Sequence, residues 1–480
     1  MTDFDPSQRN KLVSLFSRRE FFSRLGMGAG AMALATLLSE QASADAIAAR
    51  QPYTLLPKQP HWPARAKRVI YLFQNGGPSQ VDLFDPKPEL NKRAGEKPGT
   101  GFVNDVDAKK TGVWLGSPFK FQKRGQSGLE LSELLPELGK HSDEIAVIRS
   151  MVSEHENHEQ ACCHMHTGMP VAGRPTMGAW ITYGLGTENQ SLPAYVALLS
   201  PTGLPVDGAR NWSSGWMPPV YQGMPVRATD STPILNLEPR VPRDAADARL
   251  RFLQTLNREH LKFHSENMEL EARIANFELA ARMQLAATDA LDMSGETAAT
   301  KALYGLDKPD MADYGRKCLM ARRLVERGVR FVQVMMAGQP WDTHSNNSET
   351  LKTLCHSTDQ PVSGLLSDLR SRGLLEDTLV IWTGEFGRTP FAEGKDGRDH
   401  HKRGFSLWVA GGGIRGGVTH GATDEFGYSA VQDVVNVADF HATLLHLLGL
   451  DFEKLTFPYD SRQQKLTDVN PAKVVRQILA

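Results

Sequence analysis

Apolar residues along this chain follow two rhythms. Short, nearly continuous runs at Lys67 to Phe73 (KRVIYLF), Glu144 to Ile148, Val329 to Met335, Thr378 to Thr383 and Phe405 to Ala410 read as buried strands. Over Leu129 to Lys140, Met311 to Arg327, Pro361 to Arg372 and Asn436 to Leu448 the apolar positions recur at three and four spacing, which predicts helices with one buried face. From Arg240 to Thr300 the sequence is rich in Ala, Leu, Glu, Arg and Met with almost no Gly or Pro, which predicts a helical insertion around 240–300. From Tyr459 the chain reads as a short closing segment, and no internal repeat is visible. Strands alternating with helices predict an α/β fold: a doubly wound, mainly parallel sheet with helices on both faces and ligands held beyond the carboxyl ends of the strands.

Composition narrows this picture. The 480 residues carry 54 Lys and Arg against 55 Asp and Glu, so no basic face is implied for nucleic acid or an anionic membrane surface. Fifteen His against 4 Cys turns attention to imidazole and carboxylate chemistry. Cys162 and Cys163 are neighbours, a poor geometry for bridging each other, and no disulfide framework is expected.

At the amino end, Ser17-Arg18-Arg19-Glu20-Phe21-Phe22 precedes a mild apolar run from Leu25 to Leu38 that is too short for a permanent anchor. This is a twin-arginine export pattern, with small residues at Ala42 and Ala44 suited to cleavage. The expected organisation is a signal peptide over 1–44, read by the twin-arginine translocase, and an α/β domain over 45–480. The mature protein is expected to be periplasmic or extracellular, without a permanent membrane span.

Several chemically rich stretches follow the expected strands. Gln74-Asn75-Gly76-Gly77-Pro78-Ser79-Gln80-Val81-Asp82 combines glycines that admit close backbone approach with the side-chain oxygens of Asn75, Ser79 and Asp82. His155-Glu156-Asn157-His158-Glu159, with His164 and His166 behind it, suits metal ligation, anion orientation or proton transfer. Trp341-Asp342-Thr343-His344 sets a carboxylate and an imidazole on one loop. Gly384-Glu385-Phe386-Gly387-Arg388 and Gly397-Arg398-Asp399-His400-His401 complete the group. Together they offer the mixed carboxylate and histidine donors of a hydrolytic ion, while Arg388 and Arg398 are candidates to neutralise a phosphate or sulfate.

These motifs resemble an exported bacterial family, domain of unknown function 1501, within the alkaline-phosphatase and sulfatase-like superfamily. The resemblance is carried by GGPSQVDLFDPKP at Gly76 to Pro88, GRPTMGAWITYGLG at Gly173 to Gly186, WDTH at Trp341, GEFGRTP at Gly384, GRDHHKRGF at Gly397 and AGGGIRGG at Ala410. Asp439-Phe440-His441-Ala442-Thr443-Leu444 is similar to a late helix of sulfatases. The resemblance implies a hydrolase of phosphate or sulfate esters with two metal sites at the strand ends. Matched by order, Asp342, His344 and one of His400 or His401 correspond to ligands of one metal, and Glu385 to a carboxylate of the other. Asn75 stands where the superfamily has its first metal-binding Asp, and Phe386 where a His often follows the carboxylate. Where sulfatases place a Cys or Ser nucleophile ahead of a Thr-Gly pair, the comparable Thr167-Gly168 sets His158.

The expected activity is therefore metal-dependent hydrolysis of a small-molecule or polysaccharide ester, with a divalent ion (Zn, Mn, Ca or Mg) as cofactor. His158, Ser79 and Arg388 are the catalytic candidates, and Asn75, Asp342, His344, Glu385, His400 and His401 the metal candidates. For the attack, Ser79, Cys162, Cys163, His158 itself and a metal-bound water all stand open. The alternative is a degenerate superfamily member that binds sulfated or phosphorylated glycans without turnover.

Overall fold

A computed structural model describes residues 55–228, 233–234, 241–263 and 268–480. Arg18, Arg19 and the expected cleavage region lie outside the described residues. Nine strands form the central sheet: β1 (Arg68–Phe73), β2 (Ile145–Val152), β3 (Tyr195–Leu199), β4 (Met224–Arg227), β5 (Phe331–Val334), β6 (Thr378–Thr383), β7 (Phe405–Ala410), β8 (Val418–His420) and β9 (Val435–Asn436). Their order is β8-β2-β7-β6-β1-β5-β3-β4, with β9 also on β2. Central β1 pairs in parallel with β5 (Val69 with Phe331) and with β6 (Arg68 with Thr378). Only β7 runs against its neighbours β2 and β6. Among the described residues no helix is long and apolar enough to cross a membrane.

The principal helices are α1 (His158–Thr167), α2 (Met177–Leu185), α3 (Arg243–Phe263), α4 (Met268–Leu291), α5 (Ala312–Glu326), α6 (Asn347–Ser371) and α7 (Val437–Leu447). Side chains of a strand alternate between faces, and β1 uses both. Ile70 and Leu72 join a core with Leu319 and Leu324 of α5 and Leu351 and Leu365 of α6. Tyr71 and Phe73 point the other way, where the His166 ring of α1 lies 5.7 and 4.4 Å from theirs. Helices on both faces bury β1 completely beyond its first residue, which is why its sequence is an unbroken apolar run.

Two expected helices differ in the structure. Leu129 to Lys140 is not a helix: Leu129–Ser132 is a strand paired antiparallel with Phe121–Arg124, and only Leu138–His141 coils, as a 3-10 turn. Leu129 and Leu131 point inward and Glu130 outward, so the period is two, and Gly125 and Gly128 supply the positive φ of the hairpin turn. The second, α6, starts at Asn347 rather than Pro361 and runs straight through the proline. A proline inside a helix costs about 3 kcal/mol. Burial of Leu351, Leu365, Leu366 and Leu369 on one stripe outweighs that, at about 1.5 to 3 kcal/mol for each fully buried leucine. At α7, Asn436 caps the start and Asp439 returns the bond, a capping box that fits the expected onset.

Candidate metal centre at the carboxyl edge of the sheet

Four loops meet beyond the carboxyl ends of β1, β2, β5 and β6, and a fifth joins them because antiparallel β7 enters the sheet from that edge. The Asp342 loop is fastened to the β1 loop: Trp341 N donates to Asn75 O at 3.1 Å and the Trp341 indole to Gln74 Oε1 at 3.1 Å. Gly76 makes this approach possible, since at φ +113° a Cβ there would stand 2.5 Å from Asp342 N. Gly397 does the same for the fifth loop, where a Cβ would fall 1.8 Å from His344 O. Gly397→Ala is accordingly expected to push the His344 and His400 loops apart and lower divalent-ion binding, as read by zinc titration against wild type.

Around Asp342 these loops gather three imidazoles. His158 Nε2 lies 3.3 Å from Asp342 Oδ2, and His344 Nε2 and His400 Nε2 lie 3.1 and 3.3 Å from Oδ1. The last two nitrogens are 3.0 Å apart. Each ring is fixed from behind through Nδ1: His158 to Glu385 Oε1 at 2.6 Å, His400 to the Glu156 carbonyl at 2.7 Å, and His344 to Glu393 Oε2. All three partners are acceptors, so each Nδ1 carries the proton. In the neutral ring each Nε2 then turns its lone pair toward the carboxylate, an arrangement that a cation between them would satisfy. His158 Nε2 is buried and out of line for a hydrogen bond, so it has no such partner. The donor chemistry of His158, Asp342, His344 and His400 thus fits a divalent ion of the nitrogen and oxygen type. Ligand atoms of His158, Asp342 and His400, and likewise of His344, Asp399 and His400, all lie within 4.8 Å of one another.

The electrostatics point the same way. Burial raises the Asp342 carboxyl, but the His158, His344 and His400 rings set against it and the Arg388 charge hold it well below the usual carboxylate range. Burial lowers His158, yet Asp342 and Glu385 outweigh it and push its pKa up to about 9. His400, dominated by its burial, moves down instead. The surroundings thus favour positive charge on His158 but not on His400. His344, with 40% of its side chain accessible, is the open corner of the cluster.

The remaining expected site residues fall elsewhere. His401 does not reach the cluster: in the two-residue strand His400–His401 neighbouring side chains face opposite ways, and its ring meets the Tyr428 carbonyl and Asp105. Ser79 donates its hydroxyl to Asp82 Oδ2 at 2.6 Å, and burial pushes the Cys162 thiol pKa up, so neither is poised as a nucleophile. Arg388 is fully buried and bonds the carbonyls of Gly76, Gly77 and Arg398 as well as Asp342 Oδ1 at 2.5 Å. That guanidinium anchors loops and has no face for a substrate anion. Arg398 is equally consumed, by Asp82 and the carbonyls of Thr389 and Leu115. Glu385 is buried behind His158 and accepts the Gly76 N–H at 2.9 Å. Asn75 Oδ1 takes the Met336 N–H at 3.4 Å, while its buried Nδ2 has no partner. Phe386, in the place of an expected His, packs its ring 5.0 Å from His158 and 4.9 Å from His400. Glu393 lies outside every stretch named from the sequence, while Asp399 and Glu156 lie inside named stretches without a role of their own being assigned.

Arg398 and Asp82 form an ion pair with neither side chain exposed. Removing one partner strands the other charge in the interior, so Arg398→Met should cost about 3 to 5 kcal/mol of stability. Urea unfolding measures this, and a loss below about 1 kcal/mol would contradict it.

Fold and site together define a doubly wound α/β protein with a histidine and carboxylate cluster at the carboxyl edge of its sheet. Residues 66–479 match the family model described as "Protein of unknown function (DUF1501)", and the chain belongs to that family. No curated protein sequence matches it. Among solved structures the chain is similar to the lipoteichoic acid synthase LtaP from Listeria monocytogenes (9% identity, 81% of this chain and 73% of that one, TM-score 0.38). It is also similar to the PsFucS1 sulfatase from Pseudoalteromonas sp. (14% identity, 82% and 69%, TM-score 0.36). A third similarity is to the alkaline phosphatase from the Antarctic bacterium TAB5 (11% identity, 76% and 95%, TM-score 0.31).

Proposed function

We propose that this chain is an exported, metal-dependent hydrolase of phosphate or sulfate esters, acting on a small molecule or on extracellular polysaccharide. The observation that carries the reading is the convergence of three imidazole Nε2 atoms on the Asp342 carboxylate, each ring held through its Nδ1. His158, Asp342, His344 and His400 would hold the ion. Bound there, a divalent ion supplies Lewis acidity toward an ester oxygen and lowers the pKa of water. Asp342 contributes the negative charge that retains it, and Arg388 keeps that carboxylate ionised and its loop in register. Water is the attacking group in this reading, because the Ser79 hydroxyl is bonded to Asp82 and burial pushes the Cys162 thiol pKa up.

The same absence of a poised nucleophile favours a second reading, in which the centre binds sulfated or phosphorylated glycans without turnover. Purified mature protein, loaded in turn with Zn²⁺, Mn²⁺, Mg²⁺ and Ca²⁺, separates the two. Release of aryl alcohol from an aryl phosphate or aryl sulfate, abolished by chelation, is the expected result. Retention of a sulfated glycan with no release under any of these ions would establish the binding reading instead.

Export is part of the proposal and rests on Arg18 and Arg19. Replacing both by Lys is expected to leave precursor in the cytoplasm, followed by cell fractionation; normal export of that double variant would remove the twin-arginine route.

A further inference from the structure

We infer that Glu385 and Glu393 are positioning residues of the metal centre and not ligands of it, each selecting the tautomer of one histidine. This rests on the metal-centre reading above and assigns Glu385 a different part from the ligand its sequence position suggests. Glu385 lies behind His158: its Oε1 is 2.6 Å from His158 Nδ1, and the Gly76 N–H holds both of its oxygens, at 2.9 and 3.2 Å. Glu393 takes the corresponding place behind His344, with Lys110 Nζ 3.5 Å from its other oxygen. Neither carboxylate belongs to the groups whose ligand atoms converge.

A neutral imidazole can carry its proton on either nitrogen, and only the Nδ1–H form presents the Nε2 lone pair to a cation. An ionised carboxylate on Nδ1 accepts only, so it excludes the other form and also sets the plane of the ring. His400 obtains the same service from the Glu156 carbonyl, which no side-chain substitution removes, and so acts as an internal control. The protein thus spends two carboxylates on orientation and one, Asp342, on the ion. Glu385 is enclosed by the β1 loop, whereas Glu393 lies toward the accessible His344 side, so the two positions can be tested independently.

The test compares mature wild type with Glu385→Gln and Glu393→Gln, using Zn²⁺ alone as the titrant. Loss of an orienting partner typically weakens metal binding about 10- to 100-fold, and that is the expected change in each variant, at unchanged stoichiometry. Because the donor set is untouched, the absorption bands of the Co²⁺-substituted variants should keep their wild-type positions. In the zinc-loaded protein the Nδ1–H proton resonances of His158 and His344 should lie downfield. Each variant should move the resonance of its own histidine upfield and leave the other and that of His400 in place. Unchanged zinc affinity in both variants, or Co²⁺ bands displaced toward a different donor set, would overturn the assignment. Should Glu385→Gln fail to fold, Glu393→Gln decides the matter alone. A wild type that takes up no zinc would instead remove the metal centre itself, an outcome distinct from wild-type binding that the variants do not alter.

Discussion

The Asp342→Asn protein is expected to purify depleted of its divalent ion while retaining the wild-type fold. Asp342 is the carboxylate on which the three imidazole Nε2 atoms converge, so the substitution removes the charged donor they share. Asn preserves the volume and leaves an oxygen for Arg388, whose fully buried guanidinium would otherwise lose a partner. Loss of a ligand should exceed the about 100-fold that an orienting partner can be worth. An ion present at about 100 times its dissociation constant stabilises the folded state by about 2.7 kcal/mol through mass action. The variant should therefore unfold at the temperature of chelator-treated wild type and gain nothing from added Zn²⁺. Metal analysis and thermal unfolding with and without chelator measure both quantities. An ion content equal to wild type would end the assignment of Asp342.

Why Asp342 was visible in the sequence, and its supporting residues were not, follows from how each is held. Asp342 and His344 sit in one loop directly after β5, and Glu385 directly after β6. An open α/β sheet puts its ligands there, so a strand pattern followed by a polar pair is readable locally. His400 and His401 were indistinguishable as letters. What separates them is the alternation of a two-residue strand, whose existence depends on pairing with Gly387 and Arg388. Glu393 and the Glu156 carbonyl reach their histidines across 49 and 244 positions of chain, and one of them is a backbone atom with no side-chain signature. Arg388 carried the opposite problem. An arginine beside a candidate site suggests anion binding, but its carbonyl partners come from loops that only the folded sheet brings together.

The strands were legible for a related reason. Burial on both faces leaves β1, β6 and β7 as continuous apolar runs, with no polar alternation to confuse the period. Leu129 to Ser132 failed because Leu131, Leu134, Leu135 and Leu138 recur at three and four spacing, and the partner strand Phe121–Arg124 that decides the matter is polar and half-exposed. Pro361 misled in the other direction. A local rule that costs about 3 kcal/mol was overruled by a leucine stripe whose other half lies on α5 and the sheet.

The second large effect is expected at His158, where loss of turnover and loss of metal should be inseparable. Its sequence position suggests a nucleophile or general base. The geometry gives Nδ1 to Glu385 and turns Nε2 toward Asp342, which leaves no nitrogen free to attack an ester or to accept a proton from water. As a ligand, His158 acts through the ion. His158→Gln should then lower zinc occupancy and hydrolysis of aryl phosphate or aryl sulfate in step, and excess Zn²⁺ should recover turnover as occupancy rises. A general base behaves differently, since its removal costs about 10² to 10⁴ in rate with the ion still bound. Parallel measurement of zinc content and kcat across a Zn²⁺ titration separates the two. A variant fully loaded with zinc yet slower by that factor would return His158 to the chemical step, and the proton it moves would then have to come from a rearranged ring released from Glu385.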